Sequence, residues 1–524
     1  MTAKFDPFTA ASTTRRRFLA GAAGLGALAA MPIKVWAAGN TLNIRTYTEA
    51  DNFDPVDASG FGEEMLYGAI YRKLIQYTPG NEWGWQPDLV ESIEQTSPTE
   101  IAFVLKKGQM WSDGFGEITA EDVKFSLERI IDPEMESAIK PDLGSLTGVD
   151  VTGTHSGVIR LGTPFAPIWS IALPYLAGTI VCKKAIGHGK RITDAVPPTV
   201  AGPYRVAEHR PGDRWVLERN PEFSGPKPDF EKVQIFLIDD EATAEIAFEA
   251  GDLDFTRVGL GSIERLRENP PENAKLSEHP SLYYVWVGMN MESPKLKDIR
   301  VRQAIQHAID VPSILEAAYF DVADASTGII APGLIGHREE SLVAPSADFA
   351  KARALLDEAG VDTLDLKLDV LNKSTWTTAA QVIQATLAEV GINLSIGVHE
   401  SGSFWTLGNE GDGDRWKSLE LVLNRFSMTP DPYYATAWFT TEQIGKWNWE
   451  RFSNEEFDRL HEEAKAETDV AERDRMYKRM QDIMEESGAY RFITHEAAPN
   501  LYSTAIKPAL RPDSQPLIQF FAKA

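Results

Sequence analysis

The stretch from Trp111 to Ile131 reads WSDGFGEITAEDVKFSLERII and carries the clearest local signals in the chain. Asp113-Gly114 suits a tight turn, because glycine adopts left-handed backbone conformations without steric cost. Thr119 followed by Asp122 resembles a capping box, the side-chain pairing that opens many helices. These signals predict a turn followed by a helix over Ala120–Ile131.

Strand and helix patterns alternate on both sides of this stretch. Leu42-Asn43-Ile44-Arg45 alternates as a short strand, and apolar residues from Glu63 to Ile75 recur at helical spacing. Further strands are predicted at Glu100–Lys106, Val149–Leu161 and Arg214–Arg219, and further helices at Asp240–Ala250, Ile299–Ile309, Ser453–Ala466 and Val470–Glu486. This mixture predicts α/β lobes, not a β-sandwich or a helical bundle.

Composition and charge limit the classes of function. A chain of 524 residues, 43% of them hydrophobic, can bury more than one core, because a single core stops growing beyond roughly 250–300 residues. The formal net charge of −25 opposes binding to nucleic acid and to anionic membrane surfaces. The single cysteine, Cys182, excludes an internal disulfide and a cysteine-rich metal cluster.

Residues 1–37 have the features of an export signal. Arg15-Arg16-Arg17 precedes an apolar, small-residue run from Phe18 to Ala30, and Val35-Trp36-Ala37 fits a cleavage site. The arginines followed by Phe18-Leu19 resemble a twin-arginine signal, which exports folded proteins, and an ordinary secretory signal is the alternative. We expect a mature chain that begins near Ala38, is soluble in the periplasm and carries no lipid anchor, since Cys182 lies far from that end.

A series of short blocks runs through the chain in a fixed order. The blocks are Trp111–Gly114 with Ile118–Val123 and Phe125–Arg129, Ala201–Tyr204 with Pro211–Asp213 and Leu217–Pro221, Ala250–Phe255, Asp298–Ala304 with Ala308–Asp310, and Phe457-Asp458 with Glu467, Arg473 and Tyr477. From about Thr41 to the C-terminus the series resembles the family-5 extracellular solute-binding proteins, which include oligopeptide, dipeptide and nickel receptors of ATP-driven importers.

The resemblance implies a type-II periplasmic binding protein fold, with two α/β lobes joined by crossing strands, an extra N-terminal subdomain and closure about a hinge. The corresponding division gives residues 38–81, 200–289 and 489–524 to lobe I, 82–199 to the extra subdomain and 290–488 to lobe II. Most of the conspicuous block residues have structural explanations as tight turns, helix caps or ion pairs: Gly114, Gly202, Gly251, Asp122, Arg300 and Asp310.

The resemblance also directs attention to charged ligand anchors. In the peptide-binding branch, an acid shortly before an Asp-Pro pair of the C-terminal lobe receives the peptide's amino terminus, whereas the position here is Met428. Dipeptide binders hold the ligand carboxylate with an arginine near the start of the helix that corresponds to Thr377–Val390, and here only Lys373 is nearby. Arg425, a two-pronged donor, is the candidate replacement, with a structural ion pair as the alternative.

Aromatic residues form the second set of candidates. Trp405 falls where the family often places an aromatic wall, and aromatic faces hold apolar groups, sugars or cations. The other candidate ligand contacts are Met428, Tyr433, Tyr434, Trp438 and Trp447 in the same lobe, and Phe53 and Trp85 in N-terminal loops. For each ring the alternative is core packing.

Catalytic and metal-binding patterns are missing from the sequence. His461-Glu462-Glu463-Ala464-Lys465 lacks the second histidine of a metalloprotease helix, and Gly187-His188-Gly189-Lys190-Arg191 lacks the spacing of a phosphate loop. The nine histidines show no paired ligand spacing. We therefore predict no catalytic residue, no metal ligand and no cofactor.

Together these observations predict the periplasmic substrate-binding component of an ABC importer. It would act as a monomer, bind a short peptide or amino-acid derivative and deliver it to permease subunits in the inner membrane. An opine, an oligosaccharide or a metal chelate is the alternative ligand. A periplasmic chaperone or a sensory receptor on the same fold is the alternative function.

Overall fold

The predicted strands assemble into three larger sheets in the computed structural model, which describes residues 39–50, 52–58, 60–193 and 196–524. The export signal predicted at residues 1–37 lies outside the described residues. In spatial order, the seven-stranded sheet contains Tyr204–Arg210, Arg214–Arg219, Lys232–Leu237, Thr41–Thr46, Phe255–Arg257, Asn500–Ser503 and Ala274–Ser277. The five-stranded sheet contains Ile392–His399, Leu364–Leu371, Leu421–Ser427, Pro280–Met289 and Tyr490–Ala497. The four-stranded sheet contains Val90–Ser97, Glu100–Leu105, Ser156–Leu161 and Leu146–Gly153.

Helices and short strand pairs complete these layers. The short pairs are Arg72–Lys73 with Thr179–Ile180, Ile75–Tyr77 with Trp85–Pro87, Met110–Trp111 with Gly116–Glu117, and Ile506–Lys507 with Ala522–Lys523. The α-helices are Phe61–Ile70, Ala120–Ile131, Lys183–Ile186, Glu241–Glu249, Ile263–Glu268, Ile299–Ala308, Val311–Tyr319, Phe349–Ala359, Ser374–Ala388, Ser401–Phe404, Pro432–Ala437, Glu455–Ala466 and Val470–Glu486.

The chain crosses between the two largest sheets at two adjacent places. It leaves the seven-stranded sheet after Ser277 and enters the five-stranded sheet at Pro280, and it returns between Ala497 and Asn500. The backbone N–H of Ala498 donates to the carbonyl of His279 at 2.8 Å, which joins the two crossings. Such paired crossings form the hinge of a two-lobed protein.

The crossings correct the boundaries of the sequence-based division. That division puts Pro280–Met289 and Tyr490–Ala497 in lobe I, but both strands hydrogen-bond within the five-stranded sheet. The two strands also pair with each other. We assign both to lobe II, because a strand belongs to the sheet that satisfies its backbone hydrogen-bonding groups. Lobe II, as used below, is residues 280–497.

Alternation along the strand Pro280–Met289 separates two apolar cores of lobe II. Val285 and Val287 face one core, and Tyr284 and Trp286 face the other, because successive side chains of a strand point to opposite faces. Lobe I and the extra subdomain share a single core, which contains both Ile44 of the seven-stranded sheet and Phe103 of the four-stranded sheet.

The helix Ala120–Ile131 has the predicted bounds and the predicted start. The carboxylate of Asp122 accepts from the backbone N–H of Thr119 at 2.9 Å, as a capping box requires. Near its C-terminal end, Arg129 donates to both carboxylate oxygens of Asp54 at 3.0 and 2.6 Å, and both side chains are buried. This buried bidentate pair ties the extra subdomain to the loop after the first strand of lobe I.

Two predicted elements differ from the structure. The helix predicted across Glu63–Ile75 ends at Ile70, because the backbone N–H of Lys73 donates instead to the carboxylate of Asp88 at 2.8 Å. The run Val149–Leu161 is a hairpin of two strands, not one. In both cases a partner distant in sequence, or a turn, overrides the local periodicity.

Glu450 is a buried carboxyl group in lobe II. The indole N–H of Trp286 donates to its Oε1 at 2.7 Å. The carboxyl lies against the backbone of Gly288, where any Cβ would collide with it. Burial raises the pKa of Glu450, and the hydrogen bond from Trp286 lowers it by a smaller amount. The resulting pKa is about 7.

This burial predicts a pH-dependent stability. Because the folded pKa lies above the unfolded one, the neutral carboxyl contributes stability that is fully present below about pH 4.5 and is lost as the pH rises through about 7. Glu450→Gln should reduce the loss of unfolding free energy between pH 5 and pH 8 by about 2 kcal/mol. Denaturant titrations at several pH values measure this, with the exposed Glu340→Gln as control. Equal pH dependence of wild type and Glu450→Gln would contradict it.

Candidate functional site

A cavity of about 460 Å³, called the cleft cavity below, lies between the lobes beside the two crossings. Lobe I contributes Glu241 and the segment Arg257–Gly261, which follows a strand of the seven-stranded sheet. Lobe II contributes residues from several elements: Ala317, Ala318, Phe320, Lys373–Trp376, Thr378, Arg425, Glu496 and Ala497. Pockets of this size between lobes are common ligand sites.

Arg425 is the best-held charged group of the cleft cavity. Its Nη1 donates to Glu496 Oε2 at 2.7 Å, and its guanidinium lies over the ring of Tyr283 at 4.3 Å from the centroid. Burial opposes its charge, yet Glu496 and nearby tyrosines raise the pKa of Arg425 above the ordinary value. Its Nε is buried and has no hydrogen-bond partner among the described residues. The side chain is therefore held in place and charged, and it retains one N–H group, at Nε, that is unpaired among the described residues.

Two further cations line the same cavity. Arg257 donates weakly to the Ala497 carbonyl at 3.5 Å, and its buried Nε has no hydrogen-bond partner within the described ranges. Lys373 precedes the helix Ser374–Ala388, whose start has no side-chain cap bond. Burial lowers the pKa of Lys373, and the charge of Arg425 lowers it further. The cavity is thus lined by three cations and an uncapped helix start but by only two carboxylates, Glu241 and Glu496. This excess of positive charge favours an anionic group of a ligand.

Four rings form a separate aromatic surface on lobe II: Trp405, Phe426, Trp438 and Trp447. Trp405 stacks on Phe426 at 6.5 Å, and Trp438 meets Trp447 edge to face at 5.8 Å. Trp447 is 37% exposed, and the buried indole nitrogen of Trp438 has no hydrogen-bond partner in the described part of the chain. These rings are grouped as the sequence suggests, but the residues that line the cleft cavity do not include them.

Two sequence candidates belong to apolar cores. Met428 is buried within the lobe II core that contains Phe426, and its backbone N–H donates to the Leu282 carbonyl at 2.9 Å. Phe53 is buried in the shared core of lobe I, edge to face with Trp215 at 5.1 Å. The candidate ligand roles of Met428 and Phe53 are therefore corrected to packing, because neither ring nor thioether has an exposed face.

Tyr433 and Tyr434 lie where lobe II meets the extra subdomain, a contact zone called the seam below. The hydroxyl of Tyr434 donates to Asp142 Oδ1 at 2.5 Å, and the ring of Tyr433 packs edge to face on Phe165 at 5.9 Å. Ser170 Oγ donates to Asp431 Oδ2 at 2.5 Å in the same zone. Trp85 also lies at the seam, stacked on Trp169 at 5.5 Å.

Sequence reasoning missed two partners in the cleft cavity. Glu496 is the penultimate residue of the buried strand Tyr490–Ala497, which also contains Arg491, Thr494 and His495, so no apolar pattern in the sequence marks its carboxylate. Arg257 ends the short strand that follows the Gly251 turn. The local sequence at Glu496 and Arg257 does not predict a place in the cavity. Both residues come near Arg425 only because the crossings bring three strands together.

The described residues also bear on metal binding and on membrane insertion. Within those ranges, no group of three or more His, Cys, Asp or Glu side chains is placed to hold a metal ion. Within the same ranges, every helix is too short or too polar to cross a bilayer.

Comparison with known proteins agrees with this geometry. Residues 84–447 match the family model described as bacterial extracellular solute-binding proteins, family 5 middle. Over 439 residues the chain is 26% identical to the probable D,D-dipeptide-binding periplasmic protein DdpA of Escherichia coli strain K12, which covers 81% of this chain and 82% of that protein.

Solved structures share the whole fold. HbpA2 from Haemophilus parasuis superposes with a TM-score of 0.81 at 20% identity, over 93% of this chain and all of that one. The oligopeptide-binding protein AppA from Bacillus subtilis, solved with a nonapeptide, gives 0.71 at 20% identity, over 92% and 99% of the two chains. These similarities confirm the predicted type-II periplasmic binding protein fold. The chain belongs to family 5 of the bacterial extracellular solute-binding proteins.

Proposed function

We propose that this protein is the periplasmic receptor of an ABC importer and that it binds a small organic acid in the cleft cavity. A short peptide or an amino-acid derivative is the first candidate. The observation that carries the proposal is the excess of cationic groups around a cavity that both lobes line. The peptide names of relatives, such as the D,D-dipeptide-binding protein, support the same ligand class.

A carboxylate is the group that best uses these cations. A guanidinium presents paired N–H donors that match carboxylate geometry, and Arg425 lines the cleft cavity while its Nη1 donates to Glu496. Lys373 and the uncapped start of Ser374–Ala388 add positive potential on the same wall. Opines and most metal chelates also carry carboxylates, so they remain alternatives. A neutral oligosaccharide offers no counter-charge for the excess positive charge and is disfavoured.

An amino group has a different anchor from the one that the family comparison suggests. Met428 is buried in a core and offers no charge. Glu496 lines the cleft cavity and carries the carboxylate that a ligand ammonium needs. A zwitterionic ligand would therefore place both charged ends near the Arg425 and Glu496 pair.

Binding would favour closure of the lobes. The walls of the cleft cavity come from both sides of the hinge, so a ligand makes its full contacts only when the lobes are close. The closed form would then present the ligand to permease subunits. Export through a twin-arginine signal, a monomeric state, the lack of a lipid anchor and a receptor role without catalysis are parts of the same proposal.

A thermal-shift screen tests the ligand class. The mature chain should first be unfolded and refolded to remove any retained solute, and then mixed with dipeptides, opines, metal chelates and neutral oligosaccharides. Ligands that bind only the folded state raise the melting temperature. We expect a shift with carboxylate ligands and a smaller one when the dipeptide is amidated. A shift with oligosaccharides alone would contradict the proposal.

Replacement of Arg425 tests the anchor but affects two properties. From sequence alone, Arg425→Ala is expected to lower affinity by about 1.5–3 kcal/mol and to leave stability nearly unchanged. The ion pair with Glu496 changes the second expectation, because removal of Arg425 leaves a largely buried carboxylate without its partner. Both affinity and stability should therefore fall in Arg425→Ala.

Lys373→Ala separates these effects. Lys373 lines the cleft cavity and makes no ion pair with any described residue, so its loss should weaken carboxylate binding about tenfold without lowering the melting temperature. Isothermal titration of the best ligand from the screen measures the change. The matched control is Lys417→Ala, an exposed lysine of lobe II paired with Asp414 away from the cavity. Unchanged affinity in Lys373→Ala would remove this residue from the site.

A further inference from the structure

A second cavity, the seam cavity, occupies about 450 Å³ between the extra subdomain and lobe II. No residue that lines it also lines the cleft cavity. Its volume falls within the range of roughly 300–1,000 Å³ found for small-molecule sites. The proposed receptor function assigns no role to it.

Indole rings form the subdomain wall of the seam cavity. Trp85 and Trp169 stack at 5.5 Å with an angle of 19° between their planes, and Trp85 is still 40% exposed. Trp83 packs against the apolar core of lobe II, and Tyr77 lies edge to face with it at 6.0 Å. An exposed face on a stacked indole pair is a surface that another flat ring can cover.

The lobe II wall is mainly apolar as well. Leu334 and Ile335 line it, together with Pro430 and with Pro432, the first residue of the helix Pro432–Ala437. Val470, the first residue of the helix Val470–Glu486, is 64% exposed and borders the same space. A molecule in the seam cavity would thus contact both the extra subdomain and lobe II.

Most polar groups around the seam cavity already have partners, and the Glu467 carboxylate accepts from the backbone N–H of Asp469 at 2.7 Å. Asp431 accepts from Ser170 Oγ at 2.5 Å and from Arg473 Nη2 at 2.8 Å. The Tyr77 hydroxyl donates to the Ser170 carbonyl at 2.6 Å, and Trp169 Nε1 donates to Gln95 at 3.1 Å. An anionic occupant would meet the carboxylates of Asp431 and Glu467, and a cationic one would find Asp431 already paired with Arg473, whereas an uncharged ring would lose little hydration.

We propose that the seam cavity is a second binding site, specific for an uncharged aromatic molecule of one or two rings and separate from the solute site in the cleft. The ring inserts against the Trp85 and Trp169 pair and touches Leu334 and Ile335 on the other side. Because both walls contribute, the occupant holds the extra subdomain and lobe II together.

The test uses 6-fluoroindole as probe and fluorine NMR of the full mature chain. A ligand of about ten non-hydrogen atoms in a good apolar site binds with a dissociation constant of about 1 mM or below. Val470→Arg should weaken binding at least tenfold, because it places a charge at the edge of the cavity from a position exposed enough to leave the fold intact. Trp85→Ala should weaken binding to the same extent, and Trp85→Phe should retain part of it.

Matched controls keep the outcome clear. Val398→Arg changes an exposed valine, and Trp416→Ala a partly buried tryptophan, and neither residue lines the seam cavity. Both should bind 6-fluoroindole like the wild type. Absence of binding by the wild type, or equal binding by wild type and Val470→Arg, would overturn the proposal. Solute binding in the cleft is measured separately by titration and should be the same in Val470→Arg and wild type.

Discussion

The pair of Arg425 and Glu496 joins the proposed solute site of this protein to the crossings between its lobes. Glu496 lies at the end of the strand by which the chain leaves lobe II, and Tyr283, which packs under Arg425, lies near the start of the strand by which it enters. Arg425 comes from the neighbouring strand Leu421–Ser427. Arg425 therefore links the ends of three adjacent strands beside the cleft cavity. The residues that hold its guanidinium come from the two strands that continue into the crossings.

The packing shows which parts should move together. The extra subdomain shares its core with lobe I, and the buried pair of Arg129 and Asp54 links them again. Its contacts with lobe II at the seam are partly polar, and burial raises the pKa of Asp142 there to about 6, although the Tyr434 hydrogen bond lowers it. A shared core resists separation more than a seam of this kind. We therefore propose that lobe I and the extra subdomain move together as one side of the cleft and that lobe II is the other side.

The fold was largely predictable from sequence, whereas the site was predictable only in part. Helices such as Ala120–Ile131 carry their own caps and periodicity, so their bounds follow from local residues. The helix from Phe61 stops at Ile70 because of Asp88, a partner that local patterns do not reveal. Arg425 was identifiable by its chemistry, but Glu496 and Arg257 were not, since only the crossings bring them together. Phe53 and Met428 are aromatic or apolar residues that the sequence makes candidates, and only their burial in the structure assigns them to packing.

The central claim is that one solute closes the two lobes by bridging the cleft cavity. Pulsed electron paramagnetic resonance measures it most directly, with spin labels at exposed Ile246 of lobe I and exposed Val398 of lobe II in a chain where buried Cys182 is replaced by serine. The account predicts that a bound carboxylate ligand makes the distribution of distances between the labels shorter and narrower, and that Lys373→Ala needs more ligand for the same change. A ligand that binds tightly in the cleft and leaves that distribution unaltered would contradict the account.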